Sequence, residues 1–228
     1  DITNFKSLSS IVFNYDIEII INCAAYTSVD NAENDNNVLL KSILIKELQK
    51  TNSIVLHEML IWLLIQEEDF SNALKQEIAI DKRKGVERDM QIFDLGEIAF
   101  SNSEFIIAQD AFNYITKKET SFYYKESIKK SLEIQYSIFK KKPNYSKSEL
   151  NNLIENYEEK IEEIGITNES VFTIIDLAHI LAFYNSELEK AKELLLNIIA
   201  KKNYSELNLA YCKLKLGDIL LIENNIWE

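Results

Sequence analysis

This chain of 228 residues has four glycines, one proline and two arginines, Arg83 and Arg88. Sheet-rich folds need turn residues at short intervals, so the shortage of glycine and proline points to long helices with short connections. No apolar run reaches the roughly 18 residues that cross a bilayer, and no membrane span is expected. Cysteine is equally scarce. Cys23 and Cys212 lie far apart and match no metal-ligand spacing, which leaves two free thiols suited to a reducing compartment and predicts a cytoplasmic location. A segregated basic patch is also missing: the net charge is −12, and Lys140-Lys141-Lys142 and Lys201-Lys202 fall at helix ends, where they complement the helix dipole. Nucleic acid is therefore not an expected partner. Asp1 is preceded by neither a methionine nor a signal peptide, and Trp227-Glu228 falls where another helix would start. The expectation is that the chain is a piece of a longer one.

What is present is helical periodicity, sustained from Asn37 onward. A chain this long can bury about 70% of its unfolded surface. Val38-Leu39-Leu40, Ile43-Leu44-Ile45 and Leu48 predict a first helix. Asn52-Ser53 caps a second, carrying Val55, Leu56, Met59, Leu60, Leu63 and Leu64. Phe70 to Ile80 predicts a third with Ala73 as its small contact residue, and Gly85 closes the unit. Met90 to Ala99 and Glu104 to Thr116 form a hairpin, with small Gly96 in its first helix, small Ala108 in its second and Phe112 one turn later. A long helix follows from about Ser121, with Ile128, Leu132, Tyr136 and Phe139 on one face, until Pro143 stops it. Ser146 and Glu149 make a capping box for a stripe running from Leu150 to Ile164, ended by Gly165. Ser186 with Glu189 repeats that box, and the last helix runs from Leu207 to Ile222.

Four dipeptides occupy equivalent places: Leu60-Ile61, Leu95-Gly96, Leu177-Ala178 and Leu216-Gly217. The first two are 35 residues apart and the last two 39, with a gap of 82 that fits two longer units. Paired helices with a period of 34 to 40 predict an α-solenoid. Glycine inside a helix costs about 1 kcal/mol relative to alanine, so its use implies close packing. Leu95, Gly96, Ala108 and Phe112 resemble the tetratricopeptide repeat (TPR), and residues 37–228 resemble the C-terminal part of large TPR proteins of Bacteroidetes-type bacteria. The resemblance implies an all-α superhelix of stacked helical hairpins that mediates protein or peptide binding without catalysis.

Residues 1–36 differ. Phe5, Leu8, Ile11, Val12 and Tyr15 fall at helical spacing, and Ile17 to Asn22 reads as a short buried strand. The run from Ile19 through Cys23-Ala24-Ala25-Tyr26-Thr27 to Glu33, with Asp1-Ile2-Thr3-Asn4, resembles an internal segment of dTDP-4-dehydrorhamnose reductases, which reduce a nucleotide-linked keto sugar with NAD(P)H. The resemblance implies a helix-strand fragment of α/β (Rossmann) origin. It sets Asp1 near the adenosine and Ala24, Ala25 and Tyr26 along the dinucleotide. That family's glycine-rich phosphate loop should come first, yet no glycine occurs before Gly85, so the pyrophosphate has no cradle. Its Tyr-x-x-x-Lys pair has two matches, Tyr136 to Lys140 and Tyr211 to Lys215. Both fall in the helical region, where a core tyrosine and a solvated lysine are the simpler account. The expectation is an incomplete fragment at 1–36 followed by a helical repeat domain at 37–228; a third reading, two unrelated genes joined near Glu33 to Asn37, accounts for both resemblances. No cofactor is expected; the alternative implied by the resemblance is an NAD(P)H-dependent reductase-like oxidoreductase.

No catalytic or metal-binding residue stands out. His57-Glu58 lacks the second histidine of a zinc-protease motif. His179, among Leu177, Ile180 and Leu181, reads as a satisfied core or groove histidine. Glu67-Glu68-Asp69 and Glu158-Glu159 read as solvated faces, and Trp62 as core. Tyr123, Tyr124 and Tyr184 are candidates for a partner-binding surface, since tyrosine combines a flat apolar body with a polar tip.

Overall fold

The computed structural model describes the backbone of residues 29–223, apart from residues 52 and 202, and side chains from residue 37 onward. The strand expected at Ile17 to Asn22 lies outside the described residues. Among those described there are ten α-helices and no strand: α1 (Val29–Leu48), α2 (Ile54–Gln66), α3 (Phe70–Asp81), α4 (Asp89–Ser101), α5 (Phe105–Ile115), α6 (Tyr124–Lys141), α7 (Lys147–Ile164), α8 (Val171–Phe183), α9 (Leu188–Lys201) and α10 (Glu206–Glu223). A 3₁₀ turn, Asn168–Ser170, leads into α8. The boundary expected at residue 36 falls inside α1.

Local signals set many of the ends. The Ser53 hydroxyl accepts the Leu56 amide at the start of α2, and Asp69 accepts the Asn72 amide at the start of α3. Ser146 and Glu149 form the complete reciprocal capping box of α7, and Gly165, at φ 78°, ends that helix in a conformation only glycine adopts freely. The second expected box is absent. Ser186 sits at φ 59°, not in the extended region that an N-cap requires, and α9 begins only at Leu188.

Substantial packing joins helices that are one or two apart in chain order: each helix meets the next, and α3 also meets α5, α6 meets α8, and α8 meets α10. Two cores result. The first gathers Leu60, Leu63, Phe70, Ala73, Ile92, Leu95, Ala108, Phe112 and Ile115 from α2 to α5. The second gathers Leu150, Tyr157, Ile174, Leu177, Leu181, Leu195 and Ile219 from α7 to α10. Helix α6 is the wall between them. It turns Ile134 to the first core and Ile128, Leu132, Tyr136 and Phe139 to the second, as positions on opposite sides of one helix must.

The α4–α5 hairpin packs closely at Gly96. A Cβ on Gly96 would lie 2.9 Å from the Phe112 ring, so glycine is what lets that ring lie on the α4 backbone. Leu216-Gly217 does not repeat this. Among the described residues nothing lies within 4 Å of a Cβ built there. Trp62 is 60% exposed rather than core. Helix α2 is apolar almost all round; Leu60, Ile61, Leu63 and Leu64 take its buried sides, and Trp62 falls with Val55 and Met59 on the side left over.

Candidate functional site

Helix α8 is buried along most of its surface, with Ile174, Leu177, Ala178, Ile180 and Leu181 all inside. One row escapes: Phe172, Asp176, His179 and Phe183, spaced by four, three and four residues and so aligned along one side. Phe172 and Phe183 are exposed, and Asp176 and His179 are half-buried. Of the four helices that pack against α8, α6 and α10 extend this row. From α6, the ring of buried Tyr136 meets that of His179 at 5.9 Å, its hydroxyl bonds the His179 Nδ1, and Lys140 stands 4.3 Å over the Tyr136 ring. From α10, Tyr211 meets Phe172 edge to face at 5.1 Å, and Lys215 stands 5.7 Å over Phe183. Tyr184, capping α8, closes the far end against Phe139 at 5.3 Å and Tyr145 at 5.9 Å.

Burial sets the charges here. It raises the Asp176 carboxyl to about 6; Lys140 and Lys215 pull it down and Glu133 pushes it up, but burial prevails. Burial also lowers His179 to about 4, with Lys215 and Lys140 acting in the same direction. Burial, together with Tyr184 and the charge of Asp176, raises the Tyr136 phenol far above its usual range, so Tyr136 donates to a neutral imidazole.

These two shifts predict opposite pH effects. Asp176 takes up its proton more readily folded than unfolded, so its contribution to stability rises as pH falls from about 6 toward 3.8. His179 does the reverse, and its contribution is lost as pH falls from 6.5 to about 4. After discounting for partial solvent screening, each is worth about 2 kcal/mol. The two offset each other in the parent. Asp176→Asn is expected to expose an acid loss of about 2 kcal/mol between pH 6.5 and 4, and His179→Gln a gain of about the same size. Urea unfolding across that range measures both. Curves parallel to the parent would show that neither group titrates abnormally.

The three tyrosines chosen from sequence are not brought together. Tyr123 stacks on Phe93 at 5.1 Å and lines a cavity of about 330 Å³ with Phe122, Lys125 and Ile164. Its neighbour Tyr124 bonds Glu163 beside a separate polar cavity of about 170 Å³ between α5, α6 and α7. Only Tyr184 joins the α8 row. Sequence reasoning missed Asp176, Phe172 and Phe183. Their signal was a polar interruption at helical spacing in an otherwise apolar helix. It did single out Tyr136, Lys140, Tyr211 and Lys215, but as chance matches to a reductase motif.

Asp1, Ala24, Ala25 and Tyr26 lie outside the described residues. Glu67 and Glu158, in the two acidic runs, are paired with Lys41 at 2.5 Å and Lys190 at 2.6 Å. Among the described residues no group of three or more His, Cys, Asp or Glu side chains is placed to hold a metal ion, and no helix is long and apolar enough to cross a membrane. Comparisons of the chain with protein-family models, with curated proteins and with solved structures give no match.

Proposed function

We propose that this chain is a non-enzymatic helical-repeat scaffold of the tetratricopeptide kind that binds a protein or peptide along the joined faces of α6, α8 and α10. The observation that carries the proposal is the α8 row: aromatic and polar side chains kept out of the core on one side of a helix, continued by α6 and α10 among the helices packed beside it. Substantial packing that joins helices one or two apart in the chain among the described residues, and the close Gly96–Phe112 contact, support repeat stacking. Aromatic side chains, phenylalanine and tyrosine among them, are enriched at interfaces, and tyrosine is a frequent source of binding energy there. The net charge of −12 favours a basic or polar partner.

The test is selection of a displayed random dodecapeptide library against the chain. Binders are expected to weaken about tenfold or more on Phe172→Ala with Phe183→Ala, since aromatic anchors carry at least that much. Both side chains are exposed, so the fold should tolerate the change. Ile106→Ala, at an exposed position on α5, serves as control. Binders indifferent to the phenylalanine pair would sink the proposal for this face.

A further inference from the structure

We infer that the α6–α8–α10 face receives its partner through a cationic side chain, a lysine ammonium or arginine guanidinium, seated on the Asp176 carboxylate. This inference rests on the scaffold proposal and names the chemistry of its partner.

Asp176 is distinguished by what its neighbours do. On α6, Glu133 pairs with Lys130 at 3.3 Å and Glu126 pairs with Lys129. On α10, Asp218 pairs with Lys215 at 2.9 Å. Lys140 lies over the Tyr136 ring. Among the described residues no hydrogen bond or ion pair satisfies Asp176 itself, although it is half-buried. A half-buried carboxylate without a hydrogen-bond or ion-pair partner is less stable charged than one in open water, and a partner bringing a positive charge into contact would relieve it. The surroundings suit a long cationic side chain. Phe172 and Phe183 offer exposed rings to an alkyl stem and to the charge, and partial burial strengthens the ion pair over its value in water. The overall charge of −12 draws such a partner in. An anionic partner fits less well: both lysines are already engaged, and Asp176 would repel it.

The charged and titratable groups facing Asp176 are Glu133, Tyr136 and Lys140 from α6, Tyr157 from α7, and Lys215 from α10, with His179 on its own helix three residues on. Of these, His179 is neutral above pH 5, so between pH 7.5 and 5 protonation of Asp176 is the change that weakens binding of a cation.

The dodecapeptides selected at pH 7.5 provide the test. They are expected to share a lysine or arginine at one position. Replacing it by norleucine or citrulline should weaken binding about tenfold or more, as expected for a charge-assisted contact. Asp176→Asn should cause a similar loss and erase the difference between the charged and neutral peptides, whereas Glu104→Gln should leave both unchanged. Asp176→Asn removes an unpaired charge, so it should melt no lower than the parent at pH 7.5, which separates lost binding from lost folding. Peptides without a shared cation, or peptides equally tight on Asp176→Asn, would overturn the inference. If those peptides still weaken with the Phe172 and Phe183 substitutions, the scaffold proposal survives alone. Failure to recover any binder, or indifference to the phenylalanine pair, ends both.

Discussion

Arg88→Met is expected to lower the unfolding free energy by about 3–5 kcal/mol, the penalty for leaving one charge of a buried pair without its partner. The residue occupies the N-cap position of α4, and its guanidinium grips the Glu77 carboxylate of α3 with two hydrogen bonds, at 2.8 and 3.1 Å. Both side chains are nearly removed from water, at 11% and 6% exposure. A third bond, to Glu58 of α2 at 2.7 Å, reaches a 46% exposed carboxylate and adds little. The Arg88 amide donates to Asp81 at 2.9 Å, and the same carboxylate accepts from Tyr114 at 2.7 Å and Lys118 at 2.6 Å. Lys118 reaches Asp89 as well, at 2.6 Å. One network thus fastens the turn around Gly85 to four helices.

Acid acts on the rest of the network. Burial works against ionised Asp81, but the bonds from Lys118, Tyr114 and the Arg88 amide outweigh it and hold the carboxyl below its ordinary range. Its contribution to the parent is therefore present above pH 3.8 and lost as pH falls through the lowered value. In Arg88→Met, Glu77 is left buried without its charge partner, which is the source of the loss. Adding Glu77→Met should restore most of the loss at neutral pH, because an apolar pair of similar volume can replace a buried ion pair. Urea unfolding of the three proteins at neutral pH checks both the loss and its recovery. A single-variant loss below about 1 kcal/mol would mean that water reaches Glu77.

What the sequence discloses here is what is decided within a few residues of chain. The Ser146–Glu149 box, the Gly165 stop, Pro143 after α6 and the Ser53 cap involve neighbours in sequence, and all are present. Trp62 and Gly217 show the opposite case. Whether an apolar residue on an all-apolar helix is inside depends on which helices arrive later, and α2 and α10 carry apolar residues on more sides than their neighbours cover. The candidate site is harder still, since Asp176 has no local mark beyond being polar. It gains meaning only when α6 brings Tyr136 and α10 brings Lys215. The two Tyr-x-x-x-Lys matches fall on this face for a plain reason. Residues four apart share one side of a helix, and α6 and α10 turn that side toward α8.

Phe112→Ala is expected to cost about 3–5 kcal/mol, since the ring is fully buried and its loss leaves a cavity between α4 and α5. Its relation to Gly96 gives a sharper test. Two effects oppose each other in Gly96→Ala. Helix propensity favours alanine by about 1 kcal/mol. The new methyl, however, meets Phe112 Cε1 and Cζ at 2.9 Å and the Ala111 Cβ at 3.2 Å. The ring cannot simply withdraw, because Phe93 lies edge-on to it at 5.2 Å. Overpacking of this kind costs about 1–3 kcal/mol, so the single change should destabilise. In the Phe112→Ala background the obstruction is gone, and the same Gly96→Ala should stabilise by up to about 1 kcal/mol. Gly217→Ala is the control. With nothing against it, it should stabilise by about 0.5–1 kcal/mol in the otherwise unchanged chain. Urea unfolding of the parent, both single variants and the double variant reads the coupling directly. Effects that add to within about 0.5 kcal/mol would mean that ring and glycine do not touch. A change of sign at Gly96, with none at Gly217, would show that a ring seated on bare backbone, rather than the Leu-Gly dipeptide by itself, locks this hairpin together.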